Sequence, residues 1–357
     1  MKKPLISIII PVFNHESFVV DCLNSVFCQT YSHLELIVID DGSQDRSPEV
    51  VGEKLESSPY PTIFKVQENQ GAHAAINRGI ELAQGEYITI LNSDDRYHPD
   101  RIKHLVWAAE RTSSRFLFTR VRHIDADGEV LPQEAPHPYY YQRSLKTSQF
   151  FPRVTFELLR QNMAITTGNF FFHRSLYDEV GPFRDLMICH DWDFLLRVIL
   201  HEDPLLVNKV LLDYRIHSGN ITGSHEKTRR EEIDLIISHY LEKVTQASNP
   251  RAPGPDTWET YWPVFVDVFM DHLCQYSRTW ALLRASKHKH TFGKKGPRAA
   301  LLTFYQRKAR EVFHQCLERE KSLRLEGFSQ AGMLSNLYCY LRRRMFALGA
   351  WGIETLF

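Results

Sequence analysis

Four short strand-like runs lie within the first ninety-one residues, and they restrict the fold more than any other feature of the chain. They are Leu5 to Ile10, Leu36 to Ile39, Thr62 to Val66 and Tyr87 to Leu91. The first is continuous and β-branched, as a strand covered on both faces must be. Between the runs the periodicity changes. Phe18, Val19, Cys22, Leu23, Val26 and Phe27 recur at helical spacing, Ser47-Pro48 reads as a cap followed by a first helical residue, and Ala72 to Ala83 reads as a third helix. This β-α-β-α-β-α-β rhythm predicts an α/β fold, a mostly parallel sheet flanked by helices.

Ligands of open α/β sheets bind beyond the carboxyl ends of the strands. Three of those ends carry polar clusters here: Pro11 to Asn14, Asp40-Asp41, and Asn92 to Asp95. Asn-Ser-Asp-Asp is good turn chemistry on its own. Two adjacent-Asp pairs at two strand ends of one sheet are costly without an offsetting charge, and a divalent cation supplies one.

Beyond Asp100 the pattern predicts a helix over Arg101 to Arg111, a strand over Phe116 to Val121 and a turn at Asp125 to Gly128. "PHPYYYQRS" reads as a loop, Thr155 to Gln161 as a helix and Asn169 to His173 as a strand. "CHDWDFLLRVIL" opens a helix with Asp191 and Asp193 in its first turns, and "LLDYRIHSGNIT" is a strand running into a polar loop.

Formal net charge is zero, so bulk charge gives no argument for nucleic acid. The sum hides about −7 on residues 1–225 and about +7 on 226–357. Composition divides the chain at the same place, into a first domain of residues 1–225 and a mainly helical C-terminal region, 226–357. Cys22, Cys28, Cys189, Cys274, Cys316 and Cys339 contain no C-x-x-C pair, which disfavours zinc and a disulfide framework. Cys22 and Cys28 read as buried thiols. The opening "MKKPLISIII" imitates a signal peptide without a small-residue cleavage site, so a cytoplasmic location is expected. The loop after the first strand, "PVFNHES", lacks glycine. That excludes the phosphate loop of nucleotidyltransferases and the G-x-G-x-x-G of dinucleotide enzymes.

"ISIIIPVFNHESFVVDCLNSVFCQTYSHLELIVIDDGSQD", "NQGAHAAINRGIELAQGEYITILNSDD", "GPF" and "HDWDFLLR" together resemble, in order, a family-two glycosyltransferase of the GT-A fold. The resemblance covers about residues 4–222. It implies an inverting enzyme that moves a hexosyl or N-acetylhexosaminyl group from a nucleoside-diphosphate sugar, UDP- or dTDP-linked, to a hydroxyl of a glycan or lipid-linked acceptor. Cell-envelope polysaccharide or glycolipid assembly is the pathway it suggests.

It also implies roles for individual residues. Pro11, Phe13, Asn14, Asp41, Gly71, Asn77 and Asp94 would bind the nucleotide sugar, with Asp41 accepting from a base imide. Asp95, Asp94 and His217 would hold Mn²⁺ or Mg²⁺, Asp95 directly, although Asn92 stands where the family's D-x-D begins. Asp191 would be the general base and Asp193 a second choice, with His190 in place of the family's Glu. Gly168, Asn169 and Asp193 would line the acceptor side. A non-catalytic nucleotide-sugar-binding protein of the same fold is the competing expectation, favoured by Asn92 and His190. The basic, aromatic C-terminal region suggests peripheral contact with the inner face of a membrane, or a homo-oligomer interface.

Overall fold

The computed structural model describes residues 3–151, 153–220 and 225–258, together with Trp262, Phe265 and Val266. The strands and helices described below belong to a compact unit, Met1–Ala252. β1 (Ile6–Val12), β2 (Leu34–Asp40), β3 (Thr62–Val66) and β4 (Tyr87–Ile90) alternate with α1 (Val19–Phe27), α2 (Ser47–Leu55) and α3 (Ala72–Leu82). All pairings among these four strands are parallel, with Ile6 opposite Leu34 and opposite Tyr87, and Leu36 opposite Thr62. Every residue of β2 is buried, so both of its faces are covered. Each such Ile or Val contributes on the order of 1.5–3 kcal/mol.

The remaining elements are β5 (Arg96–Tyr97), α4 (Arg101–Thr112), β6 (Phe116–Ile124), α5 (Pro136–Thr147), α6 (Thr155–Arg160), β7 (Phe171–His173), α7 (Arg174–Val180), α8 (His190–Ile199), β8 (Leu205–Arg215) and α9 (Glu226–Lys243). One eight-stranded sheet results, in the order β3-β2-β1-β4-β7-β6-β8-β5. β7 runs antiparallel between β4 and β6, β8 lies parallel to β6, and β5 is antiparallel to β8.

Parallel pairing brings Val12, Asp40, Val66 and Ile90 to one side of the molecule, where the next residues form the site. Helix α3 seats tightly against β1. A Cβ on Gly79 would stand 2.4 Å from Ile9 Cγ2, so only glycine permits this approach.

Three local expectations are corrected. The stretch expected as a loop is α5, because Pro136 and Pro138 fall in the first helical turn, where backbone N–H groups lack intrahelical partners anyway. Ser47 is the first residue of α2 rather than its cap, and its Oγ accepts the His15 N–H at 2.9 Å. Cys22 is buried but Cys28, just past the end of α1, is exposed.

The first compact unit extends past the compositional change at Glu226. Glu232 of α9 accepts the backbone N–H groups of Met187, Ile188 and Cys189 at 2.7, 3.0 and 2.8 Å, immediately before α8. No helix among the described residues is long and apolar enough to cross a membrane. Most of the basic C-terminal region, including residues 333–357, lies outside the described residues.

Candidate active site at the strand ends

Two loops at the sheet's carboxyl edge are stapled together. Asn14 stands at φ 52° after β1; its N–H donates to Ser43 Oγ at 2.9 Å and its Oδ1 accepts from Gln44 N at 2.8 Å. Glu16 N–H donates to Asp45, and Glu16 accepts from Arg46 N. Pro11 is half-buried within β1, and Phe13, the first residue beyond it, is 41% exposed.

Asp41 follows β2 with its carboxylate almost fully engaged. It accepts from Gln67 Nε2 at 2.7 Å, Gln70 N at 3.0 Å and Gly71 N at 2.8 Å. Three of roughly four acceptor positions are thus spent on shaping loop 67–71. Gly71, at φ 92°, then starts α3 in a backbone conformation that L side chains rarely adopt.

The loop after β4 separates its acidic residues. Asn92 is occupied: its Nδ2 donates to Thr166 Oγ1 at 2.5 Å and its Oδ1 accepts from Thr167 Oγ1 at 2.9 Å. An amide satisfies both threonines, whereas an aspartate could only accept. Asp94 Oδ2 faces His217 Nε2 at 3.1 Å. His15 completes the group, with its Nδ1 2.7 Å from Ser93 Oγ. One ligand atom from each of His15, Asp94 and His217 can be chosen so that all three lie within 4.8 Å of one another.

Asp95 turns inward. It is fully buried, Oδ1 accepts the Arg215 backbone N–H at 2.9 Å, and Oδ2 has no partner among the described residues. Burial, reinforced by the neighbouring Asp94 charge, holds its carboxyl well above the usual carboxylate range. A Cβ on Gly168 would lie 3.2 Å from that unpartnered oxygen, so Gly168 packs against Asp95 inside the protein. Of the carboxylates expected to hold a cation, Asp94 is the one that meets imidazole nitrogen.

Arg215 fastens this corner, and nothing in its sequence surroundings marks it. Its Nε donates to the Asp94 carbonyl at 2.7 Å and its terminal nitrogens reach Asp21 Oδ2 at 2.6 Å and the Ala126 carbonyl at 2.9 Å. The guanidinium also lies over Phe18, 5.1 Å from the ring centroid, and Phe18 in turn contacts the His217 ring at 4.6 Å.

Asp191 occupies the first turn of α8, half-buried. Its Oδ2 accepts from Asn162 Nδ2 at 2.7 Å and its Oδ1 from the Trp192 N–H at 2.6 Å. Burial outweighs those bonds and lifts its pKa to about 7. Tyr214 feels the charges of both groups. Its phenol is pushed up first by burial and then by the negative charges of Asp95, Asp94 and Asp191, so it lies within electrostatic reach of all three.

Three further expected residues have structural partners. Asn77 bridges loop 181–183: Nδ2 donates to the Phe183 carbonyl at 2.8 Å, and Oδ1 accepts from Phe183 N at 2.9 Å and from Tyr177 Oη at 3.1 Å. Asn169 is fully buried and bonded to Arg101, Thr119 and the Ala164 carbonyl. Asp193 is buried between Arg197 at 2.8 Å and Arg184 at 3.2 Å. In each, the polar atoms hold segments of the fold together.

Comparison with known proteins agrees with this architecture. The family described as "Glycosyl transferase family 2" matches residues 7–181. An uncharacterized glycosyltransferase of Rickettsia typhi is 27% identical over 249 residues, 68% of this chain and 74% of that protein. S. aureus TarS 1–349, solved in complex with UDP, superposes with a TM-score of 0.55 at 17% identity, over 91% of this chain and 93% of that one. The mannosyltransferase PcManGT from Pyrobaculum calidifontis, solved with GDP-Man and Mn²⁺, superposes with a TM-score of 0.54 at 17% identity, covering 90% and 85%. At these identities the two solved structures establish a shared fold.

Proposed function

Since this chain belongs to glycosyl transferase family 2, we propose that it transfers a sugar, with inversion, from a UDP- or dTDP-sugar to a hydroxyl group of a glycan or lipid-linked acceptor. The observation that carries this reading is Asp191: a half-buried carboxylate with a pKa of about 7 whose charge, like those of Asp94 and Asp95, acts on Tyr214. A general base works best when its pKa lies near the operating pH.

The nucleotide binds over the carboxyl ends of β1 and β2. Its base packs on exposed Phe13, beside the loop that Asp41 holds in shape, and the helix α3 N-terminus faces the diphosphate. Asp94 and His217 offer an oxygen and a nitrogen, a donor pair suited to Mn²⁺ and, less well, to Mg²⁺. A divalent ion bound there supplies Lewis-acid stabilisation of the departing diphosphate. Such an ion also accompanies GDP-Man in the mannosyltransferase of shared fold.

Asp191 takes the proton from the acceptor hydroxyl as that oxygen bonds to the anomeric carbon from the face opposite the leaving group. The bond between the anomeric carbon and the diphosphate oxygen breaks in the same step, which inverts the centre. Asn162 and the Trp192 N–H fix the carboxylate's direction.

The direct test is Asp191→Asn. Equilibrium binding of UDP should stay within about threefold of wild type while turnover of the sugar donor falls by at least ~100-fold. Turnover that survives the substitution would remove Asp191 from the mechanism.

A further inference from the structure

We infer that His15, Asp94 and His217 form a three-ligand, nitrogen-rich cation site that loads before the nucleotide and selects first-row transition ions over Mg²⁺ and Ca²⁺. This deepens the proposed function and rests on it for the ion's purpose, but ion binding itself is measured without donor or turnover.

Geometry supports the third ligand. Two atoms each 2.0–2.2 Å from one ion are at most about 4.4 Å apart. The three ligand atoms already lie within 4.8 Å of one another, and three such atoms share one ion at a mutual spacing of about 3.8 Å or less, so side-chain rotations that draw them in by up to about 1 Å close them on a single ion. The rings are fixed in advance. His15 Nδ1 is engaged by Ser93 Oγ at 2.7 Å, which leaves Nε2 as its free nitrogen. This is the arrangement of a ligating imidazole oriented by a hydrogen bond at its other nitrogen. His217 is held edge-on to His15, 5.7 Å between centroids at 80°, and rests on Phe18. Asp94 is pinned through its carbonyl by Arg215.

Chemistry then sets selectivity. Imidazole suits Co²⁺, Ni²⁺ and Zn²⁺, with Mn²⁺ the weakest-bound of this first-row series that peaks at copper, whereas Mg²⁺ prefers oxygen and keeps its water. Two nitrogens and one carboxylate supply enough ligands to retain an ion without help from a diphosphate.

The test uses the full chain, stripped with EDTA and free of nucleotide, titrated with Mn²⁺ while the free-ion EPR signal is followed. One site should fill before UDP is added. Co²⁺ or Zn²⁺ should displace Mn²⁺ at no more than a tenth of the Mn²⁺ concentration, and a tenfold excess of Mg²⁺ should not. His15→Ala and His217→Ala should each weaken Mn²⁺ at least about tenfold, and Ser93→Ala severalfold. Melting curves in EDTA check that the variants fold, and His15→Gln serves if His15→Ala does not. The visible spectrum of bound Co²⁺ reports nitrogen ligation in the unaltered protein. Mn²⁺ that binds only after UDP, equal competition by Mg²⁺, or unchanged affinity in a folded His15 variant would overturn the inference. Intact Mn²⁺ binding with no sugar transfer would overturn the proposed activity alone.

Discussion

At the scale of single residues, Asp191 carries the sharpest expectations. Its folded pKa, about 7, lies above the ordinary 3.8, so the carboxyl is protonated at pH 6 and ionised at pH 8. A base must be ionised to accept a proton, so donor turnover should rise with pH along a limb centred near 7. A pH-rate profile flat from 6 to 8 would contradict that role. The same shift makes a stability statement with the opposite sense. Between pH 3.8 and 7 the native state binds more protons at this group than the unfolded chain, so its contribution falls as pH rises through that window. Asp191→Asn should therefore show a shallower decline of melting temperature from pH 5 to 7.

Residue identities were also where sequence reasoning stopped short. The Asp pair at the end of β4 is visible as a pattern, but which carboxylate turns inward depends on Arg215, over a hundred positions away. His15 carries no local signal of its role, since a lone histidine is an ordinary loop residue and its partners Ser93, Asp94 and His217 all come from elsewhere in the chain. Asn169 and Asp193 sit at the expected places in the family pattern. Their side chains nevertheless serve buried arginines, a long-range fact that a linear pattern does not contain.

At the scale of elements, α8 presents Asp191, and α9 sets the start of α8. Glu232 gathers three backbone N–H groups that precede the helix, an anion placed where helix N-termini attract negative charge. Glu232→Ala removes the acceptor of all three and leaves the buried Cys189 N–H without its partner, at a cost of about 1–3 kcal/mol. The expected result is a lower melting temperature and reduced turnover at saturating donor, with UDP affinity unchanged. Equal loss of UDP affinity would mean that α9 supports the nucleotide side instead. The parallel strands were legible because their burial on both faces leaves a nearly continuous apolar run. β5 was not, because two residues carry no period, and α5 was hidden by prolines whose position in the first turn decides their effect.

For the molecule as a whole, the fold gathers residues from the loops after β1, β4 and β8 into one cluster, with the β3-β2-β1-β4 parallel block as its base. That block explains why the general location of the site could be read from the sequence before any side-chain contact was known: parallel order forces the strand ends together. This one site, with Asp94 in the loop after β4, is expected to act on a nucleotide sugar. The most direct measurement is release of nucleoside diphosphate from a panel of UDP-, dTDP- and GDP-sugars with Mn²⁺ present, comparing the purified chain with Asp94→Ala. Release from at least one donor is expected, suppressed by EDTA and reduced at least ~100-fold by the substitution. Release that persists in folded Asp94→Ala, or none from any donor with the folded wild type, would contradict it.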